Sequence, residues 1–233
     1  MIFRQLFDAE SSTYTYLIAD EKAGQAALID PVIANTNDYQ MLLEQLQLTL
    51  VVAMDTHTHA DHITALGLLR KKTGCRTMLG EQAVATCMTG HFSDGAIIHV
   101  GGLQIKALHT PGHTNDSYSF YVSDGKQPML LTGDTLLIRG TGRTDFQNGD
   151  ASQQYHSLFD VLLNYPDETL VYPGHDYRGW TVSTVAEEKA HNPRLQVSDE
   201  QAYIKLMANL HLPNPILMDV AVLANQACGN IDD

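Results

Sequence analysis

The chain has 233 residues, of which 44% are apolar and 18% charged, with a formal net charge of −13 at pH 7. That length suits one globular domain with a sizeable core, and the balance excludes a disordered chain. So acidic a surface repels polyphosphate and no basic stripe interrupts it, so a nucleic-acid partner is not expected.

The longest aliphatic stretch, Leu48 to Met54, is far too short to span a bilayer, so no membrane association is expected. The opening Met1-Ile2-Phe3-Arg4 lacks a basic region followed by an apolar run, which predicts a cytoplasmic location. Three cysteines, Cys75, Cys87 and Cys228, form no CxxC pair and are odd in number. They are expected to be reduced thiols, with Cys75 and Cys87 serving as packing residues.

In chain order, β-rich runs come first, over Ile2–Phe7, Tyr14–Ala19 and Gln25–Asp30, the last closing on Pro31. Met41, Leu42 and Leu46 lie near helical spacing and predict a helix over Asp38–Leu48, followed by a buried strand, Leu50–Asp55. Directly after that strand comes Thr56-His57-Thr58-His59-Ala60-Asp61-His62. A helix from about Ile63 to Lys72 follows, ended by Gly74. The polar cluster therefore sits on a strand-to-helix loop, where α/β folds present chemistry.

Four more strands are predicted, over Ala96–Val100, Leu103–Leu108, Tyr118–Ser123 and Pro128–Thr132, with turns such as Gly101-Gly102 and Asp124-Gly125 between them. Two end on polar motifs, Thr110-Pro111-Gly112-His113-Thr114 and Thr132-Gly133-Asp134-Thr135. Ala151–Asn164 puts Tyr155, Leu158, Phe159 and Leu162 on one helical face, and a strand over Thr169–Pro173 runs into Gly174-His175-Asp176-Tyr177. Two terminal helices are predicted, Thr181–Ala190, stopped by Asn192-Pro193, and Ser198–Ala208, opened by a Ser198/Gln201 capping box. Strands and helices alternating in two halves favour a layered α/β sandwich over a single parallel sheet.

Three of the eleven histidines, His57, His59 and His62, fall within six residues, with Asp61 between them. Imidazole and carboxylate are ligands for borderline divalent metals, and alternation brings His57 and His59 to one side of an extended loop. His113, Asp134 and His175 each follow a strand and a glycine, so they can converge on the same sheet edge. Burying so many polar groups without a partner is costly, which argues for a metal site.

His57-x-His59-x-Asp61-His62 with His113, Asp134 and His175 resembles the signature of the metallo-β-lactamase superfamily. That resemblance implies an αββα sandwich, here one domain over 1–233 with a short helical C-terminal extension. In many members an aspartate at the Asp134 position bridges two metals that activate water. A finer resemblance is to the persulfide dioxygenases. It is carried by Asp55 to His62, by Thr132 through Gln147 and by His175-Asp176-Tyr177. It continues through Thr181 to Val185, Asn192-Pro193-Arg194-Leu195 and Asn209-Leu210-His211-Leu212-Pro213.

This resemblance implies one Fe(II) per subunit, held by His57, His113 and Asp134 as a facial triad with positions left for substrate and O₂. His59, Asp61, His62 and His175 are then outer groups that orient the ligands. The implied reaction oxidises glutathione persulfide with O₂ to sulfite and glutathione. Arg143, Tyr177 and Arg194 match positions implicated in glutathione contact, and Cys228 matches a recurring cysteine, read either as facing the substrate channel or as a small buried hydrophobe. Arg143 paired with Asp145 or Asp150 is the structural alternative, and Arg139 is expected to be structural. Where the family often has a cysteine this chain has Thr141, which argues against an essential thiol there.

Two competing readings stand beside this one. A glyoxalase II-type thioester hydrolase uses a similar histidine loop with two metals, but normally a longer helical C-terminal region than follows His175. A non-catalytic protein retaining the fold is disfavoured by the complete His/Asp set. A homodimer is a further expectation from the fold.

Overall fold

The computed structural model describes residues 1–85, 87–210, 212 and 217–229. Two six-stranded sheets stack face to face. The first runs in the order β1 (Ile2–Asp8), β2 (Thr13–Asp20), β3 (Gln25–Ile29), β4 (Thr49–Met54), β5 (Arg76–Gly80), β6 (Gly90–Phe92). The second contains β7 (Ile97–Val100), β8 (Leu103–His109), β9 (Tyr118–Ser123), β10 (Pro128–Gly133), β11 (Leu170–Pro173) and β12 (Ser183–Thr184), in the order β12-β11-β10-β9-β8-β7. Alternation along the strands sorts side chains between two faces. On β2, Tyr14, Tyr16 and Ile18 point into the core between the sheets, while Leu17 and Ala19 face helices on the other side.

The helices are α1 (Thr36–Gln45), α2 (Leu66–Thr73), α3 (Ala151–His156), α4 (Val185–His191), α5 (Glu200–Ala208) and α6 (Met218–Gln226). Tyr39 and Leu43 of α1 and Leu66 and Leu69 of α2 pack on the outer face of the first sheet. Leu158 and Leu162, which follow α3, join Val185, Tyr203 and Met207 on the outer face of the second. The three apolar clusters thus separate four layers, which is the expected αββα sandwich.

Several boundaries differ from the sequence reading. The helix expected from Ile63 starts only at Leu66, because the preceding residues are tied to the segment after β3, with Thr64 bridged to Val32. Ile63 O accepts from Ile33 N at 2.9 Å, and Ala65 N donates to Pro31 O at 2.7 Å. Gly74 ends α2 as expected, at φ 74° with its N–H on Arg70 O. The helix expected over Thr181–Ala190 begins at Val185, since Ser183 and Thr184 pair with β11 as β12 and Thr184 caps the helix by accepting from Glu187 N. Asp199 caps α5 rather than Ser198, accepting from Ala202 N. The run after α3 widens into a π turn over Ser157–Val161, with Ser157 Oγ donating to Pro111 O at 2.7 Å.

The short strands β5 and β6 and helix α6 were not predicted. They lack a long alternating pattern and form through pairing and packing with distant segments. Of the family-like segment Asn209–Pro213, His211 and Pro213 lie outside the described residues.

Candidate metal centre

Strand β4 delivers the histidine loop at one edge of the sandwich, and the ends of β8, β10 and β11 bring His113, Asp134 and His175 to the same edge. One ligand atom from each of His57, His113 and Asp134 lies within 4.8 Å of the others. The ring centroids of His57 and His113 are 4.9 Å apart. His57 is buried, and His113 and Asp134 keep only a little exposure.

In each of these three residues, one polar atom is committed elsewhere and one is left facing the common point. Thr56 Oγ1 donates to Asp30 Oδ2 at 3.0 Å and lies 3.0 Å from His57 Nδ1. Because Asp30 takes the hydroxyl hydrogen, the hydroxyl oxygen accepts from His57 Nδ1, which leaves Nε2 bare. His113 Nδ1 faces the carbonyl of Arg143 at 2.8 Å, which likewise leaves its Nε2. Asp134 Oδ1 lies 2.6 Å from His175 Nδ1, and Oδ2 lies 3.7 Å from His113 Nε2. Two imidazole nitrogens and one carboxylate oxygen therefore converge, a donor set that fits a borderline divalent metal.

The electrostatics agree with that donor set. Burial holds the His57 ring well below the usual imidazole range, with His59 and His113 adding to the effect, so it presents a neutral lone pair. Burial works against ionising Asp134, but His175, His113 and His57 more than offset it and keep the carboxyl ionised.

A second group lies alongside. His59, Asp61 and His62 also bring donor atoms within 4.8 Å of one another. His59 Nδ1 and His62 Nε2 are buried without a hydrogen-bond partner. His59 Nε2 is 3.0 Å from Asp30 Oδ1, and His62 Nδ1 is 2.9 Å from Asp61 Oδ2. Burial opposes charge on His59, yet Asp30 and Asp61 outweigh it and raise its pKa well above the ordinary value. His175 spans the two groups, with Nδ1 toward Asp134 and Nε2 2.8 Å from Asp61 Oδ2. Thr13 Oγ1 lies 3.0 Å from the same Nε2 and 3.2 Å from Asp61 Oδ2.

Of the expected substrate contacts, Arg143 forms a fork with Asp145, Nε to Oδ1 at 2.6 Å and Nη2 to Oδ2 at 2.8 Å. The structural alternative for that arginine is thus realised, while its backbone carbonyl holds His113. Arg194 is half-buried, and its Nη1 donates to both Thr141 O and Thr141 Oγ1. Tyr177 is 74% exposed and stacks over His175 with ring centroids 6.2 Å apart, which leaves its outer face open to a ligand. Arg139 pairs with Glu187 and buried Glu188.

The cysteines require a correction. Cys87 and Cys228 are joined in a disulfide with Cα atoms 6.1 Å apart, and only Cys75 is a free thiol. Neither Cys87 nor Cys228 is the reduced residue expected, and Cys228, 3% exposed, offers no free sulfur to a substrate. A separation of 141 residues gives no local spacing signal, so only folding reveals the pair.

Three residues that shape the histidine loop escaped the sequence reading. Asp30, in the left-handed region at φ 53°, accepts from Thr56 N at 2.6 Å as well as from the Thr56 hydroxyl. Asp116 accepts from Thr58 N at 3.1 Å and from Thr58 Oγ1 at 2.6 Å. Asn225 contacts the loop from α6. Asp30 and Asp116 look like ordinary turn residues. An amide pair, Asn225-Gln226, in the otherwise apolar run Val220 to Ala227 was the one available signal for Asn225. Gly133, at φ 50°, lets β10 pass the loop closely, since a Cβ there would sit 2.8 Å from Thr56 Oγ1.

This fold and this donor set define a class, and sequence comparison agrees: residues 9–175 match the Metallo-beta-lactamase superfamily, to which the chain belongs. Within it the chain falls in the persulfide dioxygenase family. It is 44% identical over 230 residues to "Persulfide dioxygenase ETHE1, mitochondrial" of Mus musculus, covering 98% of this chain and 89% of that protein. The Homo sapiens protein of the same name gives the same identity and coverage. The crystal structure of ETHE1 from Myxococcus xanthus superposes with a TM-score of 0.95 at 53% identity, covering 99% of this chain and 100% of that one.

Proposed function

We propose that the chain is an iron-dependent persulfide dioxygenase, oxidising the outer sulfur of glutathione persulfide with O₂ to sulfite and releasing glutathione. The observation that carries this reading is the convergence of His57 Nε2, His113 Nε2 and Asp134 Oδ2, each left available because its companion atom is already hydrogen-bonded. Relatives of that name, alike over nearly the whole chain, supply the reaction class.

His57, His113 and Asp134 would hold one Fe(II). When bound, iron supplies the one-electron chemistry with O₂ that side chains lack. The chain's own residues orient and exclude. His175 occupies Asp134 Oδ1, so the carboxylate presents a single oxygen. The guanidinium of Arg143 carries the fork geometry suited to a glutathione carboxylate, in exchange for Asp145. Tyr177 offers an open ring face next to His175, and Arg194 secures the Thr141 loop.

The second group, His59, Asp61 and His62, is what favours the rival reading of a dinuclear thioester hydrolase. Against it, both nitrogens of His175 are engaged by carboxylates, and the persulfide dioxygenase relatives match at 44% identity.

The deciding experiment measures metal content, oxygen uptake and sulfite release with glutathione persulfide on the purified chain. One iron per chain, with O₂ consumed as sulfite appears, is the expected result. A pair of zinc ions, with S-lactoylglutathione hydrolysed equally well without oxygen, overturns the reading.

A further inference from the structure

The histidine loop is gripped from three sides. Asp30 and Asp116 hold its first half from neighbouring strand ends. Its second half is held from the far end of the sequence by Asn225 on α6. The Asn225 amide donates from Nδ2 to His59 O and to His62 O, each at 2.9 Å, and accepts from Thr64 N at 2.9 Å. Asn225 is 3% exposed, so these bonds form away from water, where an unmade partner is costly. Two donors and one acceptor in one short planar group are what asparagine provides, and no charged or hydroxyl side chain of that size can satisfy all three.

The helix that carries Asn225 is itself anchored. Cys228 N donates to Asn225 O at 3.0 Å, and Cys228 O accepts from Gly67 N at 3.0 Å. The Cys228 sulfur is bonded to Cys87, on the segment between β5 and β6. Gly229 then passes against the carbonyl of Thr64, where any Cβ would collide. Arg70 donates from Nη1 to Cys87 O at 2.8 Å, which ties the other end of the disulfide to α2.

We propose that Asn225 is a positioning residue for the metal-holding loop, and that the Cys87–Cys228 disulfide fixes the helix that presents it. The proposal rests on reading His57, His113 and Asp134 as the iron ligands. Asn225 sets three carbonyl and amide positions between His59 and Thr64, in the stretch of backbone that directly follows His57. Groups hydrogen-bonded directly to metal ligands are worth roughly 10–100-fold in affinity, and Asn225, one step further out, is expected to contribute up to roughly 10-fold.

The test compares the full-length wild type with Asn225→Asp and Cys87→Ser. Asn225→Asp keeps the size and the acceptor for Thr64 N but removes both donors and turns a carboxylate toward two carbonyls. Ferrous-iron affinity is measured after chelation and reloading, together with amide hydrogen exchange over residues 59–64 in the iron-free chain. Asn225→Asp is expected to stay folded by circular dichroism, bind Fe(II) more weakly by up to roughly 10-fold and exchange the Thr64 amide faster. Cys87→Ser is expected to change both readouts in the same direction by a smaller factor. A merely structural role would lower the melting temperature of Asn225→Asp while leaving iron affinity per folded chain unchanged, and that outcome overturns the proposal. Unchanged Thr64 exchange in Cys87→Ser overturns the part assigned to the disulfide. A wild type that takes up no Fe(II) overturns the parent reading instead, and the exchange data still report whether Asn225 holds the loop.

Discussion

The carbonyl oxygen of Arg143 accepts the Nδ1 hydrogen of His113 at 2.8 Å, so the loop that carries the arginine proposed to bind substrate also orients an imidazole of the candidate metal centre. Backbone and side chain of one residue therefore have separable effects.

Gly142 sits where this loop presses on the centre. A Cβ there would collide with the carbonyl of Asp134 and lie 2.7 Å from His113 Nδ1. Gly142→Ala is expected to displace His113 and lose most of the bound metal, with the fold kept. Metal analysis of the purified variant checks this, and full occupancy would refute it.

Arg143→Ala should behave differently, because the carbonyl remains. Iron content is expected to stay at the wild-type level while KM for glutathione persulfide rises, roughly 10–100-fold for a lost charge-assisted contact, with kcat little changed. Steady-state oxygen uptake gives both constants. A fall in kcat with KM unmoved would place Arg143 outside substrate binding.

Thr56 relays between Asp30 and His57, with 3.0 Å on each side. Thr56→Val keeps the shape and removes the relay, leaving His57 Nδ1 without its acceptor. Metal affinity is expected to drop by roughly 10–100-fold. Thr56→Ser should restore most of it, and equal affinities in all three forms would show the relay to be idle.

Tyr203 donates to Gln154 Oε1 at 2.7 Å, and burial pushes its phenol up to about 12. The unfolded phenol titrates near 10. A folded pKa raised in this way contributes stability that is fully present below about pH 10 and lost as pH climbs toward 12. Urea melts should therefore weaken across that window in the wild type, and less steeply in Tyr203→Phe. At neutral pH the same variant should lose about 1–3 kcal/mol, because buried Gln154 loses its donor. Identical alkaline slopes in the two proteins would refute the assignment.

Much of this architecture is legible locally. The alternation on β2, the apolar run of β4 and the strand-to-loop position of Thr56 through His62 follow from neighbouring residues. So does the recurrence of a glycine before Asp134 and before His175. These patterns, together with the family likeness of the histidine motif, define the four-layer sandwich and the principal donor set before any folding is known. The glycine at 74 ends its helix as the letters suggest, because the left-handed turn there needs no partner elsewhere.

The tertiary structure alone decided what depends on residues far apart in the chain. Pinning of Ile63 and Ala65 by the loop after β3 delays α2, and pairing with β11 converts Ser183 and Thr184 from helix to strand. Cys87 meets Cys228, and Asn225 meets His59, across more than a hundred residues. Periodicity and capping report interactions within a few residues. Ligand orientation, sulfur pairing and the hold on the histidine loop come from contacts that exist only once the two sheets have closed on each other, and no spacing in the chain encodes them.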